Sequence, residues 1–176
     1  VQYGMSAYGM GQKASLHVLE AEDLLQRHKD VYHTFWKWAE QNVNAGLAGV
    51  ELHTVFGWKI RAGKGRDVKE NTFLNWPMQA NGAEMLRLAC IALEEDGIGI
   101  CAPVHDAILI EAPLEKIDQH VAHATSLMRK ASEWVLGCGR QCHVDATIVR
   151  CPDRYMDGRG ASMWSFIQSR LDKESA

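Results

Sequence analysis

Residues 103–111 read Pro-Val-His-Asp-Ala-Ile-Leu-Ile-Glu, a His-Asp pair set inside an otherwise apolar, strand-like stretch. An unpaired carboxylate is too costly to bury, so Asp106 needs a turn, a partner or a metal. Val104 before the pair and Ile108, Leu109 and Ile110 after it are expected to form two buried strands. His105-Asp106 then becomes the tip of a tight hairpin lifted out of the core. Asp is a common turn former, and taken alone the pair reads as an ordinary turn.

Working outward, Pro77 is expected at the start of a helix reaching about Asp96, with Met85, Leu88, Ala89 and Ala92 as its buried stripe and Gly97 as its stop. After the hairpin, Pro113 opens a long helix in which Ile117, Val121, Ala124, Leu127, Met128, Ala131, Trp134 and Val135 recur at helical spacing. Gly137 and Gly139 break it. Val144–Val149 is expected as a strand on its β-branched content, and residues 161–171 as a last helix. Towards the N-terminus, residues 1–12 read as a helix end and a turn. Ser15 is expected to cap a helix through about Lys29, and a second helix, rich in aromatics, to run from Val31 to Asn44 and end at Gly46 and Gly49. Val50–Ile60 alternates as a hairpin turning near Gly57. Residues 61–70 form a charged loop holding Arg61, Lys64, Arg66 and Lys69, either solvated or facing phosphate. This order of helices, hairpin, helix, hairpin, helix, strand and helix gives an α+β class, an antiparallel sheet packed by long helices.

The totals exclude several classes. With 176 residues, 47% apolar and 23% charged, the chain is an ordinary globular domain or part of a larger one. A net charge of -3 gives no global basic signal, so any nucleic-acid contact must be local. No apolar run approaches the roughly 20 residues of a membrane span, and no signal peptide is visible. Five cysteines, an odd number at low density, point to reduced thiols and a cytoplasmic setting. Cys138-x3-Cys142-His143 and His120-x2-His123 invite a zinc reading, but neither spacing matches a common zinc pattern. The chain starts at Val1 in what looks like the middle of an element, and reads as a fragment.

Three blocks lie in one order: Tyr3-Gly4-Met5 at a helix end, Asn75-x-Pro77-Met78-Gln79 at an expected helix start, and Val104-His105-Asp106 at a hairpin tip. Together they resemble the C-terminal half of a family A DNA polymerase, above all the branch of phages and mobile elements. The closing CPDRYMDGRGASMW is similar to that branch's C-terminal segment. The resemblance implies a palm-type sheet over residues 75–176, with the His-Asp hairpin, and a helical partial fingers subdomain with its connecting hairpin over residues 1–74. It implies template-directed deoxynucleotide addition to a primer 3′ end with two Mg²⁺ ions in the intact enzyme, and primer-template DNA and deoxynucleoside triphosphates as partners. Asp106 would be the catalytic metal ligand and His105 the residue at the primer end. Tyr3 and Gly4 would lie beside the nascent pair and template base. Asn75 and Gln79 would read the primer-template minor groove, where uncharged amides meet acceptors that every correct pair presents.

The departures bear on activity. Many members carry Glu after the His-Asp pair, where this chain has Ala107, and Arg after Thr54-x-x-Gly57, where this chain has Trp58-Lys59. The family's other metal-binding Asp and the Lys and Arg that hold the triphosphate would lie upstream of Val1, in a missing N-terminal part of the polymerase. Glu111 lies an odd five residues past Asp106, on the opposite strand face, and Glu84 suits a salt bridge better. The chain alone is therefore expected to be inactive. Two other readings compete. A cysteine hydrolase would pair Cys101 with His105, but the strand rise leaves them over roughly 10 Å apart, and a buried Cys101 should react slowly. The second is a non-catalytic α+β module that contacts DNA or protein, using the six tryptophans.

Overall fold

The computed structural model describes residues 1–62 and 69–174, so Lys64 and Arg66 of the charged loop lie outside the described residues. The elements in chain order are α1 (Ala7–Ala14), α2 (Val18–Val31), α3 (His33–Leu47), β1 (Leu52–His53), β2 (Lys59–Ile60), α4 (Glu70–Glu95), β3 (Gly99–Val104), β4 (Ala107–Glu111), α5 (Ile117–Leu136) and α6 (Ala161–Glu174). The class is α+β, with long helices around two separate antiparallel hairpins, β1-β2 and β3-β4.

The first helices differ from expectation because of their caps. Ser6 caps α1 by accepting from the Gly9 amide, and Ser15 closes it in the left-handed region at φ 55° instead of starting the next helix. His17 starts α2, with its ring accepting from Leu19 N–H and Glu20 reaching back to the His17 amide. That reciprocal pair satisfies two amides a helix start leaves orphaned. Gly46 does not end α3 but lies buried inside it, because Phe73 of α4 packs there.

Pro77 does not start its helix either. α4 begins seven residues earlier and carries the proline in its interior. Such a proline removes one backbone bond and costs about 3 kcal/mol in isolation. Contacts on both sides of Pro77 offset this: Phe73 is fully buried, and Asn81 donates from its side chain to the Pro77 carbonyl one turn back at 2.8 Å while accepting from the Val55 amide. The expected strand over Val144–Val149 is absent among the described residues, where 138–150 forms no regular element. β-branched content favours a strand only where an edge is there to pair with.

The core sits where α4, α5 and the second hairpin meet. Leu93, Ile98 and Ala124 are buried there, and Ile100, Ile108, Ile110 and Leu127 pack on them. The sequence led to the expectation of two buried strands, but each is half-exposed. Val104 and Leu109 are exposed, while Ile100 of β3 and the alternate residues Ile108 and Ile110 of β4 face the core. The register slips by one between Ile100↔Ile110 and Ala102↔Leu109, which leaves Cys101 as the extra residue of a bulge.

At the other end of α4 the fit is equally tight. A methyl group added at Gly46 would come 2.3 Å from Phe73 Cδ1. Gly46→Ala is predicted to destabilise the fold by about 1–2 kcal/mol, overpacking outweighing the gain in helix propensity. Urea unfolding should show a lower midpoint at unchanged slope.

Candidate DNA-facing site

α4 organises the candidate residues. Asn75 and Gln79 lie one turn apart on it and share a face. The Asn75 side chain donates to the Tyr3 carbonyl at 3.5 Å, across 72 positions of sequence. Gly4, at φ +82°, presses against Asn71 one turn before Asn75, where a Cβ would lie 2.4 Å from Asn71 Oδ1. The backbone at Tyr3-Gly4 thus docks directly on α4, and glycine is what permits both the torsion and the approach. The Tyr3 ring is 60% exposed. Asn75 Oδ1 is buried with no hydrogen-bond partner among the described residues, while Gln79 is exposed.

The second hairpin places the other pair. Val104 pairs with Ala107, so His105 and Asp106 alone form the turn. His105 has φ 56°, the positive value that the primed two-residue turns of hairpins require. Both side chains are exposed and make no hydrogen bond or ion pair among the described residues. The structure thus brings the Tyr3-Gly4 backbone and Asn75 together, and Gln79 follows one turn on along α4. It bonds none of them to His105 or Asp106.

The first hairpin docks on the same helix, through residues that motif reading did not single out together. Asn81 Oδ1 accepts from the Val55 amide at 3.3 Å. Thr54 Oγ1 donates to Glu84 Oε1 at 2.7 Å and accepts from the Trp58 amide at 3.0 Å. Glu84, expected in a salt bridge, pairs through Oε2 with Arg87. The Arg87 guanidinium in turn lies 4.5 Å from the Trp58 ring centroid. The one signal in sequence was the i, i+3 spacing of Glu84 and Arg87. Lys59, the other residue in the place where the family's Arg is expected, pairs with Glu51 across the hairpin at 3.2 Å.

Among the described residues no group of three or more His, Cys, Asp or Glu side chains is placed to hold a metal ion. His120, expected on an exposed face, is half-buried with an unpartnered Nδ1, and His123 lies 2.6 Å from Asp96. Cys101 is exposed at its bulge, against the expected burial. Burial pushes the Cys90 thiol above its usual value and so lowers its thiolate fraction. With an aromatic disulfide reagent near pH 8, exposed Cys101, Cys138, Cys142 and Cys151 are predicted to react as a fast group, with Cys90 slower. A Cys101 much faster than the other three would revive the hydrolase reading.

The model of DNA polymerase family A matches residues 1–148. The thermostable DNA polymerase I of Thermus thermophilus is 28% identical over a match covering 74% of this chain and 17% of that protein. DNA polymerase I of Deinococcus radiodurans is 27% identical, with 73% and 14% covered. This chain therefore spans about a sixth of the length of such relatives. Among solved structures, the POL domain of Pol1 from M. smegmatis, in complex with DNA primer-template and dNTP, aligns with a TM-score of 0.60 at 24% identity, over 74% of this chain and 25% of that one. At that identity the likeness is one of fold.

Proposed function

Because this chain belongs to DNA polymerase family A, we propose that it is the C-terminal part of a template-directed DNA polymerase that adds deoxynucleotides to a primer 3′ end. One observation carries the reading. Tyr3-Gly4 docks on α4 at Asn71 and Asn75, so two blocks 72 positions apart form one surface with Gln79 at its edge. In this reading residues 1–74 are the partial fingers and residues 75–176 the palm, with α4 running unbroken across the boundary. The closing Cys151–Trp164 segment extends it to the branch of phages and mobile elements, and the enzyme works in the cytoplasm on primer-template DNA and deoxynucleoside triphosphates.

Each residue has a task that its surroundings permit. Asn75 and Gln79 present amides that meet the minor-groove acceptors common to all correct pairs. Tyr3 offers a flat, exposed ring beside the nascent pair, with Gly4 letting the backbone hold it against α4. His105 directs its imidazole towards the primer end from the hairpin tip. Asp106 fits Mg²⁺ in kind, since its exposed carboxylate is a hard oxygen donor with no competing cation among the described residues. When bound, two such ions lower the charge barrier to in-line phosphoryl transfer. Glu84 is committed to Thr54 and Arg87, which leaves Asp106 at the hairpin tip as the carboxylate assigned to the metal in this reading.

Two measurements test this. In gel shifts with a recessed primer-template at low salt, Asn75→Ala and Gln79→Ala are each predicted to weaken binding about fivefold, the size of one lost hydrogen bond. Unchanged binding by both variants would overturn the minor-groove assignment. In primer extension, the 176-residue chain is predicted to incorporate nothing above background with Mg²⁺. Robust incorporation would overturn its status as a partial site.

A further inference from the structure

Between the β1-β2 hairpin and α4 lies a cavity of about 230 Å³, walled by Trp58, Trp76, Gln79, Ala80, Ala83 and Arg87. Its volume is below the roughly 300–1,000 Å³ of drug-sized pockets, room for one ring system and not for two. Trp58 is 60% exposed, yet its position is fixed. Its amide donates to Thr54 Oγ1 at 3.0 Å, its carbonyl accepts from the Thr54 amide at 2.7 Å, and Arg87 covers its ring. An exposed indole ordered before any ligand arrives is a ready stacking surface. Ala80 and Ala83 add only methyl groups, which keeps the cavity flat-walled.

The polar atoms point to the same kind of occupant. Trp76 lends the wall its ring surface, since its Nε1 is buried away from solvent. Gln79 adds an amide, and Arg87 gives only Nη1 to Glu84, leaving further N–H groups of its guanidinium. A chain with net charge -3 has no general attraction for a single strand, so stacking backed by one local cation is its available route.

We propose that this cavity is a stacking cleft for one unpaired nucleobase of DNA, with Trp58 as the platform, Arg87 backing it, and Gln79 meeting acceptors of the base or its sugar. The cation that many family members carry directly after Gly57 is here supplied from α4, stacked on the residue that replaced it. The proposal rests on the reading of α4 as a DNA-facing helix.

The test measures fluorescence anisotropy of the full chain with a blunt duplex, and with the same duplex carrying an unpaired 2-aminopurine. One arm places that base in a 5′ template overhang, the other at a mismatched primer 3′ end. The wild type should bind one unpaired form more tightly than the blunt duplex and quench its 2-aminopurine, and the arm that quenches identifies the strand. Trp58→Ala should lose about tenfold in affinity for that form, with the blunt duplex unaffected, and abolish the quenching. Trp58→Phe, which keeps a flat ring, should retain most of both. Equal wild-type affinity for all three DNAs without quenching overturns the cleft. So does a Trp58→Ala loss shared by the blunt duplex. Either result leaves the Asn75 and Gln79 assignment standing. Trp58-dependent quenching together with duplex binding indifferent to Asn75→Ala and Gln79→Ala would instead sustain the cleft and sink the minor-groove reading.

Discussion

A single buried carboxylate ties the N-terminal hairpin to the rest of the molecule. Glu84 is 3% exposed, and its two oxygens are divided between the Thr54 hydroxyl and the Arg87 guanidinium. Hydrogen bonds to a charged group are worth about 1.5–3 kcal/mol each, and the same carboxylate without partners would be strongly unfavourable. The arrangement is therefore close to all-or-none. With Thr54 in place, its hydroxyl also receives the Trp58 amide, so the turn, the indole and the arginine above it are set by one ionised group. Asn81 adds a second anchor, bridging the Val55 amide to the Pro77 carbonyl and so linking the hairpin to the helix at its proline.

α4 has to serve two masters along its length. Its C-terminal half is a core helix, where Ala89 and Leu93 are buried near Ile98 and α5. Its N-terminal half carries Phe73 against Gly46 on one side and Asn71 and Asn75 against the Tyr3-Gly4 turn on another. A helix of 26 residues is about 39 Å long at 1.5 Å per residue, so one rigid element connects the packed core to the polar surface. The amides at Asn75 and Gln79 are held on a rod and not on a loop, which suits groups that must present fixed geometry.

What could be read from the sequence was what depends on neighbours along the chain. The tip at His105-Asp106, the run of α5 to Gly137 and the turn at Gly57 follow from local pattern and turn chemistry, and the structure contains each of them. Pro77 misled because its helix-starting preference is local, whereas the partners that hold α4 on both sides of it, Gly46 against Phe73 and Val55 on Asn81, come from elsewhere in the chain. Ser15 closes α1 and His17 takes the capping role expected of Ser15, because the torsion at Ser15 decides which helix it serves. The segment 144–149 has the composition of a strand but no edge beside it. The contacts of Asn75 with Tyr3 and of Arg87 with Trp58 were hidden for the same reason. No spacing rule links residues 72 or 29 positions apart.

His105 carries a lesson of another kind. At φ 56° a glycine would sit without penalty, while an L side chain costs roughly 1–2 kcal/mol. The imidazole makes no hydrogen bond or ion pair among the described residues that would offset this. Folding taken by itself would favour glycine at this tip, so the hairpin is less stable than its own backbone allows. Strained torsions of this kind cluster at functional sites, in keeping with the role proposed for His105. The torsion is thus a cost the hairpin carries at the residue whose imidazole is proposed to face the primer end.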